Sequence, residues 1–219
     1  MINLQLGDWR TALDGITGDA LICDPPYGAR THRGHNSGAR SRRDPSALIT
    51  YSCFTPDDVH ELVASWAPRI RGWMACMTSA DLIPVYQAAY AKAGLYGFAP
   101  VPVLQHRPRL TGDGPGSGAV YLMVARPRHA PFSRWGSLPC WYLSSVQRGT
   151  GVVGAKPVAL MEAIIADYTK PGDLVVDPFA GSGSTLIAAR RQGRQAVGCE
   201  IDPDTYERTR DRLDGSLAT

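Results

Sequence analysis

Short apolar runs alternate along the chain with longer stretches in which hydrophobic positions recur at helical spacing. The apolar run 19–23, the amphipathic stretch 55–69 and the strand–turn–helix pattern 173–193 are the clearest examples. Such alternation predicts an α/β fold, in which helices cover both faces of a mainly parallel sheet. The remaining predicted strands are 2–6, 72–78, 95–104, 119–124 and 195–199, and the remaining predicted helices are 81–93, 157–169 and 203–213.

Two segments stand apart from this alternation. Residues 28–50 are rich in Arg, Gly and Ser and predict a mobile basic loop, whereas residues 105–155 predict a small, largely irregular insert. A chain of 219 residues suits one full-sized domain and is too short for two comfortable ones. We therefore expect a single domain over 1–219.

The composition narrows the class of protein. With 44% hydrophobic and 20% charged residues, the chain has globular proportions. It contains no apolar run of membrane-spanning length and no basic-then-apolar leader, so we expect a cytoplasmic protein without a membrane partner. The five cysteines are scattered and never spaced Cys-x-x-Cys, so the sequence predicts neither a disulfide framework nor a metal site.

Positive charge is concentrated in the first two thirds of the chain. Residues 1–150 carry 15 basic and 10 acidic side chains, whereas residues 151–219 carry 8 and 10. Arg accounts for 20 of the 23 basic residues and suits phosphate contacts, although a GC-rich genome also raises the Arg content. A basic loop and a basic insert are typical of nucleic-acid binding, and a solvated linker is the alternative for the loop. The candidate nucleic-acid contacts are Arg30, Arg33, Arg40, Arg42, Arg43, Arg107 and Arg109.

A glycine-rich turn follows the predicted strand 173–177. The run Asp177-Pro178-Phe179-Ala180-Gly181-Ser182-Gly183-Ser184-Thr185 leads from that strand into a helix. Glycines let a ligand approach the backbone, and a new helix presents unpaired N–H groups. Neither Gly-x-Gly-x-x-Gly nor a following Gly-Lys-Thr is present, which disfavours a dinucleotide dehydrogenase and a phosphate-binding ATPase. Asp177 suits a cationic ligand, and Glu200, after the next strand, is placed to accept ribose hydroxyls. A tight turn without a ligand is the alternative.

The tetrapeptide Asp24-Pro25-Pro26-Tyr27 ends the apolar run 19–23. Open α/β sheets bind their ligands at such strand ends. The two prolines fix the backbone and donate no hydrogen bonds, so the Asp24 carboxylate and the Pro25 carbonyl can both accept from one amino group. Tyr27 offers a flat face on which a base can stack. Taken alone, the tetrapeptide is equally consistent with a rigid turn.

Together, the two motifs resemble those of the S-adenosylmethionine-dependent DNA amino-methyltransferases. Lys156-Pro157 with the helix after it, Glu200 with Asp202-Pro203, and Gly7-Asp8 resemble further elements of that family. The tetrapeptide precedes the glycine turn, which resembles the beta-type, circularly permuted order of motifs. The resemblance implies a Rossmann-like class I methyltransferase sheet.

The resemblance also implies a reaction, a cofactor and a site. A methyl group would pass from S-adenosylmethionine, leaving S-adenosylhomocysteine, to N6 of an adenine in DNA that has left the duplex stack. An Asp-led tetrapeptide is more usual in the adenine enzymes of this family, which favours N6-adenine over N4-cytosine. The insert 105–155 would be the target-recognition segment. The implied catalytic residues are Asp24, Pro25, Pro26 and Tyr27, and the implied cofactor-binding residues are Asp8, Asp24, Lys156, Asp177, Phe179, Ala180, Gly181, Ser182, Gly183, Ser184, Thr185, Glu200, Ile201 and Asp202.

The chain departs from the family's pattern in two places. Val153-Gly154-Ala155 stands where the family often has a His-Pro pair, and the short insert predicts relaxed sequence specificity. Pro139-Cys140 resembles the nucleophile of cytosine-C5 methyltransferases, but the order of motifs is wrong for that family and favours a packed thiol. N4 of cytosine stays open as the acceptor, as does a cofactor-binding DNA-binding module without turnover. Monomer and homodimer both stay open, and the resemblance implies a bacterial or phage-infected cell.

Overall fold

The computed structural model describes residues 1–36, 51–106, 116–128, 136–145 and 149–215. Within them the chain forms nine strands, seven α-helices and a short 3-10 turn. The strands are β1 (Ile2–Leu6), β2 (Ala20–Cys23), β3 (Met74–Thr78), β4 (Leu95–Gly97), β5 (Val101–Gln105), β6 (Ala119–Pro127), β7 (Tyr142–Ser144), β8 (Leu174–Asp177) and β9 (Gln195–Glu200). The helices are α1 (Trp9–Ala12), α2 (Ala29–Asn36), α3 (Pro56–Trp66), α4 (Ile83–Lys92), α5 (Val158–Tyr168), α6 (Ser184–Arg191) and α7 (Pro203–Leu213), and the 3-10 turn is Ala80–Leu82.

The described strands form one sheet in the order β1–β9–β8–β2–β3–β6–β5–β7, with β4 also paired to β6. The first five of these strands run parallel to one another. Strand β6 is antiparallel to β3, β4 and β5. The five parallel strands therefore share one carboxyl edge, which is where open α/β sheets bind their ligands.

The pairing of β2 with β8 brings distant parts of the chain together. Ala20 lies opposite Val175 and Leu21 opposite Val176, in parallel register. Asp24 follows β2 and Asp177 ends β8. The tetrapeptide and the glycine turn therefore meet at the carboxyl edge, although they are far apart in the sequence.

The core lies on both faces of the sheet. Along β2, Leu21 and Cys23 point into one buried cluster, whereas Ala20 and Ile22 point into the other, because side chains alternate along a strand. Residues of α3 and α4 complete the first cluster, and residues of α5 and α6 complete the second. The predicted α/β class with helices on both faces is confirmed.

The segment predicted as a mobile loop over 28–50 begins as a helix, so that prediction is wrong for its first part. Helix α2 has the sequence ARTHRGHN, which contains almost no apolar residue and therefore gives no hydrophobic period. Its first turn is closed by the Thr31 N–H, which donates to the Gly28 carbonyl at 3.0 Å. Residues 37–50 lie outside the described residues.

The insert 105–155 is less irregular than the sequence predicts. Strand β7 lies within it and pairs in parallel with β5, but three residues are too few to show a period of two. The predicted strand 95–104 is divided into β4 and β5, which pair with successive parts of β6. Pro100 lies in the gap between them and has no N–H to continue the ladder.

No helix among the described residues is both long and apolar enough to cross a bilayer. The longest of them, α3, α5 and α7, have 11 residues each.

Candidate active site

The carboxyl ends of four neighbouring parallel strands carry the candidate residues. Asp24 follows β2, Asp177 and Glu200 end β8 and β9, and Asp8 lies two residues after β1. The Gly7 N–H donates to the Glu200 carbonyl at 2.9 Å, which continues the β1–β9 pairing up to the edge. The order of the strands thus places four carboxylates at the carboxyl edge of the sheet.

Only one of the two Asp24 carboxylate oxygens accepts a hydrogen bond from the described residues. Oδ2 accepts a hydrogen bond from the Lys156 ammonium, and the two side chains are 23% and 16% exposed, respectively. Oδ1 is buried and accepts no hydrogen bond from any described residue. A buried acceptor without a partner is unfavourable unless a ligand supplies the donor.

Tyr27 places its ring beside this carboxylate. Its centroid lies 5.0 Å from the Lys156 Nζ atom. Burial raises the pKa of the Tyr27 hydroxyl well above its usual range, and the nearby negative charge of Asp24 raises it further. Although the two groups are close, neither the Tyr27 hydroxyl nor Asp24 Oδ1 has a partner at hydrogen-bonding geometry among the described residues.

The backbone of the tetrapeptide is held on both sides. The Phe54 N–H donates to the Tyr27 carbonyl at 3.1 Å, and the Gly28 N–H donates to Ser79 Oγ at 3.1 Å. A Cβ atom on Gly28 would lie 2.1 Å from Asp81 Oδ2, so a side chain at this position would collide with the Asp81 carboxylate. The sequence analysis missed Ser79, whose only signal is that it directly follows the buried strand β3.

The glycine turn wraps the end of β8. Gly181 and Gly183 have φ values of +49° and +75°, in the left-handed region that favours glycine. The Gly183 N–H donates to the Ala180 carbonyl at 2.7 Å, and the Ala180 N–H donates to the Cys199 carbonyl at 2.9 Å. These bonds tie the turn to itself and to β9.

Asp177 lies beneath this turn and is almost completely buried. Its Oδ1 accepts from the Phe179 N–H at 3.0 Å. Burial raises the pKa of the Asp177 carboxyl to about 7, although hydrogen bonds from Thr185 and Phe179 oppose the shift. The carboxyl therefore changes charge near neutral pH, which is uncommon for Asp.

Glu200 is fixed by backbone amides. Its Oε2 accepts from the Gly181 N–H at 2.9 Å, and its Oε1 accepts from the Asp202 N–H at 2.9 Å. Burial raises the pKa of this carboxyl. The next residue, Ile201, is 65% exposed, so an apolar surface stands beside the carboxylate.

Several residues predicted to bind a cofactor have side chains that are already in contact with other parts of the protein. Asp8 caps helix α1 through the Arg10 N–H at 2.9 Å, and it also forms an ion pair with the Arg10 side chain. Asp202 caps helix α7 through the Thr205 N–H at 2.8 Å. Phe179 packs against Trp9 and Phe54, and the three hydroxyl residues of the turn are buried. Those buried residues are Ser182, Ser184 and Thr185.

Lys156 connects the two halves of the site, which are the tetrapeptide, or acceptor half, and the glycine turn, or cofactor half. Ser184 Oγ, at the start of α6, donates to the Lys156 carbonyl at 2.7 Å, while the Lys156 ammonium reaches Asp24. The same ammonium also donates to the Gly154 carbonyl at 3.3 Å. Its backbone thus lies at the glycine turn and its charge lies at the tetrapeptide.

Tyr51 is a second residue that the sequence analysis missed. Although the residue is 48% exposed, desolvation of its hydroxyl, together with the nearby charges of Asp24 and Glu200, raises the pKa of the Tyr51 hydroxyl to about 12. The Tyr51 hydroxyl lies 3.9 Å from the position that a Cβ on Gly154 would occupy. No local pattern marks this residue, because its relation to the site depends on the fold.

The predicted nucleic-acid contacts are only partly described. Arg30 and Arg33 lie on α2, which begins directly after the tetrapeptide, and both are exposed. The other predicted contacts lie outside the described residues; they are Arg40, Arg42, Arg43, Arg107 and Arg109. Cys140 is exposed instead of packed, because it lies in an irregular stretch before the edge strand β7. Among the described residues, no three His, Cys, Asp or Glu side chains are grouped as metal ligands.

The sheet, with the candidate residues at its shared carboxyl edge, has the same fold as solved methyltransferase structures. The solved structure of the M1.HpyAVI–SAM complex is similar, with a TM-score of 0.73 and 20% sequence identity over 97% of this chain and 100% of that chain. At this identity the similarity concerns the fold alone.

Residues 133–211 match the family model N6_N4_Mtase, described as DNA methylase. The type II methyltransferase M2.DpnII of Streptococcus pneumoniae is 41% identical over 64 residues, which are 29% of this chain and 24% of that protein. The DNA adenine methyltransferase YhdJ of Escherichia coli K12 is 44% identical over 59 residues, which are 27% of this chain and 20% of that protein. The chain therefore matches a quarter or less of these relatives' length. The segment that matches the family model contains the glycine turn and Glu200, whereas the tetrapeptide lies outside it.

Proposed function

We propose that the protein is a DNA methyltransferase that transfers a methyl group from S-adenosylmethionine to N6 of adenine. The observation that carries the proposal is Asp24 Oδ1, which is buried at the same sheet edge as the glycine turn and Glu200 and accepts no hydrogen bond from any described residue. The match of residues 133–211 to the DNA methylase family supports the reaction class. The Asp-led tetrapeptide supports adenine as the acceptor.

The residues of the glycine turn fit the proposed cofactor. Gly181 and Gly183 adopt left-handed conformations, and among the described residues a Cβ atom on Gly181 would have only the Phe179 carbonyl within 4 Å, at 3.8 Å. The turn would hold the amino-acid part, with Asp177 favouring its cationic amino group, while Glu200 would accept from the ribose hydroxyls. The exposed side chain of Ile201 would contact the planar base. When bound, S-adenosylmethionine supplies an electrophilic methyl group on a sulfonium.

The tetrapeptide would hold the acceptor. An exocyclic amino nitrogen is a poor nucleophile because its lone pair is delocalised into the ring. Asp24 Oδ1 and the Pro25 carbonyl would accept its two N–H hydrogens and favour the pyramidal nitrogen, so the catalysis lies largely in positioning and charge. Tyr27 would stack on the base and recover about 1–3 kcal/mol of the energy lost on unstacking.

Arg30 and Arg33 would contact DNA phosphates beside this acceptor site. Both side chains are exposed on α2, next to the tetrapeptide. The chain has a formal net charge of +3, so clustered Arg side chains, and not the overall charge, would supply the electrostatic attraction.

The proposal is tested by incubating the protein with S-adenosylmethionine and unmethylated bacterial DNA, followed by nuclease digestion and mass spectrometry of the nucleosides. N6-methyladenine is the expected product, and its share of all adenines measures the sequence specificity. N4-methylcytosine would retain the mechanism and overturn the choice of base. Bound cofactor without any methylated base would overturn the enzymatic proposal and favour a DNA-binding module without turnover.

The raised pKa of Asp177 leads to a pH prediction. Below pH 7 the buried carboxyl holds a proton, and a cationic amino group must displace that proton in order to bind. Affinity for S-adenosylhomocysteine should therefore rise about tenfold per pH unit from roughly pH 5.5 to 7 and then level off. Titration calorimetry near pH 6, in two buffers of different ionisation enthalpy, should detect the released proton.

Asp177→Asn is the matched control for this prediction. The amide oxygen can still accept from the Phe179 N–H, but the side chain cannot ionise. The variant should lose most of the proton release, and any remainder would come from Glu200, whose pKa is also raised by burial. A wild-type affinity that stays constant between roughly pH 5.5 and 7 would contradict the role given to Asp177.

A further inference from the structure

The Lys156 side chain has a position that a cofactor-binding residue does not require. Its carbonyl is bound at the glycine turn by Ser184 Oγ, whereas its ammonium donates to Asp24 Oδ2 in the tetrapeptide. We propose that Lys156 is a positioning residue for Asp24, which holds the carboxylate so that Oδ1 faces the acceptor amino group. This inference rests on the proposed function and assigns Lys156 to the acceptor half of the site.

Among the described residues, two hydrogen-bond acceptors and one aromatic ring surround the ammonium. A lysine ammonium has three N–H groups. One donates to Asp24 Oδ2, one is within reach of the Gly154 carbonyl at 3.3 Å, and the ring of Tyr27 lies 5.0 Å away. Lys156 therefore lies next to both the Asp24 carboxylate and the ring of Tyr27.

Burial makes this ion pair a strong constraint on the carboxylate. The side chains of Lys156 and Asp24 are only 16% and 23% exposed, so solvent screens their attraction weakly. The two carboxylate oxygens are equivalent, so a half-turn of the group restores the same arrangement, whereas any intermediate orientation gives up a charge-assisted hydrogen bond. One oxygen, Oδ2 in the structure, therefore pairs with Lys156, and the other is left for a donor from outside the described residues.

The backbone of Lys156 is fixed from the other half of the site. Ser184 Oγ donates to its carbonyl at 2.7 Å, and Arg212 Nη1 approaches the same hydroxyl at 3.3 Å. Ser184 is the first residue of α6 and directly follows Gly183. Lys156 therefore ties the position of the Asp24 carboxylate to that of the glycine turn, which would align acceptor and cofactor.

The test compares Lys156→Met and Lys156→Arg with the wild type. Met keeps most of the apolar stem without the charge, and Arg restores a cation. We expect kcat for DNA methylation to fall by about 10- to 100-fold in Lys156→Met and to recover in part in Lys156→Arg. The KM for DNA and the Kd for S-adenosylhomocysteine should stay within a few-fold of the wild type. Lys92→Met, at the exposed end of α4, is the matched control and should keep full activity.

A double-variant cycle isolates the interaction with Asp24. If Lys156 acts only through Asp24, adding Lys156→Met to Asp24→Asn should cause little further loss of kcat. Full additivity of the two losses would overturn the inference. A loss of S-adenosylhomocysteine affinity in Lys156→Met, with kcat unchanged at saturation, would also overturn it and make Lys156 a cofactor ligand.

A spectroscopic measurement keeps this inference distinct from the proposed function. The chain has three lysines, Lys92, Lys156 and Lys170, so isotope-labelled lysine gives three side-chain NMR signals. Asp24→Asn should move the Lys156 signal and leave the other two in place, whether or not the protein methylates DNA. A Lys156 signal that does not respond would overturn the inference. A responding signal in a protein that methylates no nucleic acid would support the pairing and overturn the proposed function alone.

Discussion

Asp24→Asn is expected to slow methyl transfer by about 10²–10³-fold or more while the affinity for S-adenosylhomocysteine stays within a few-fold. Asp24 Oδ2 accepts from Lys156, and Oδ1 is buried without a partner among the described residues. An amide puts an NH2 group in one of these two positions. There it meets either the Lys156 ammonium or the target amino group, and both are donors. Asn therefore cannot satisfy both neighbours, although its size leaves the packing around β2 unchanged.

Single-turnover rates with tritium-labelled S-adenosylmethionine measure this loss directly, because they exclude product release. Asp57→Asn is the matched control, since it removes an exposed carboxylate on the first turn of α3, and it should keep the wild-type rate. Calorimetry with S-adenosylhomocysteine shows whether the cofactor half is intact. If Asp24→Asn transfers methyl groups at a rate close to that of the wild type, Asp24 is not a catalytic residue and the proposed mechanism is wrong.

The sequence predicts best those elements whose ends carry their own signals. Thr55 and Asp58 form a reciprocal capping box with Pro56 at the first helical position, so the start of α3 is readable from adjacent residues. Asp202 and Pro203 mark the start of α7 in the same way, and the predicted bounds 203–213 are confirmed at both ends. Such signals are local and do not depend on what the helix packs against.

Elements that are very short or almost wholly polar could not be predicted in this way. Helix α2 contains almost no apolar residue, and β7 has only three residues, so neither shows a period. The first turn of α2 follows Gly28, whose N–H bonds to Ser79 on the far side of the tetrapeptide. The structure of this segment thus depends on a contact between residues that are 51 positions apart.

In the candidate site, too, the sequence could place some residues and not others. The strand ends with Asp24, Asp177 and Glu200 could be placed at one sheet edge, because parallel strands share their carboxyl ends. The direction of the Lys156 side chain could not, because a flexible stem of four carbons reaches either half of the site from the same backbone position. Tyr51 gave no signal at all. Residues that act through long-range contacts become visible only in the fold.

Gly183→Ala is expected to lower the free energy of unfolding by about 2–4 kcal/mol and to weaken S-adenosylhomocysteine binding by about tenfold or more. Gly183 has a φ of +75°, which costs an L-residue about 1–2 kcal/mol. An added Cβ atom would also lie 2.7 Å from Thr209 Cγ2, and such overpacking costs about 1–3 kcal/mol. Because the Gly183 N–H bonds to the Ala180 carbonyl, relief of the clash would displace the proposed cofactor turn.

Two further variants separate the backbone effect from the clash. Gly193→Ala has nearly the same strain, at a φ of +72°, but its Cβ would meet no atom of the described residues within 4 Å, so it should lose only the about 1–2 kcal/mol of backbone strain and no S-adenosylhomocysteine affinity. Thr209→Ser removes the clashing methyl group and keeps the hydroxyl that donates to the Gly181 carbonyl. Combined with Gly183→Ala, it should restore binding to within a few-fold. Urea unfolding and calorimetry measure both effects. If Gly183→Ala matches Gly193→Ala in both, the close approach of α7 to the glycine turn is not what shapes the cofactor site.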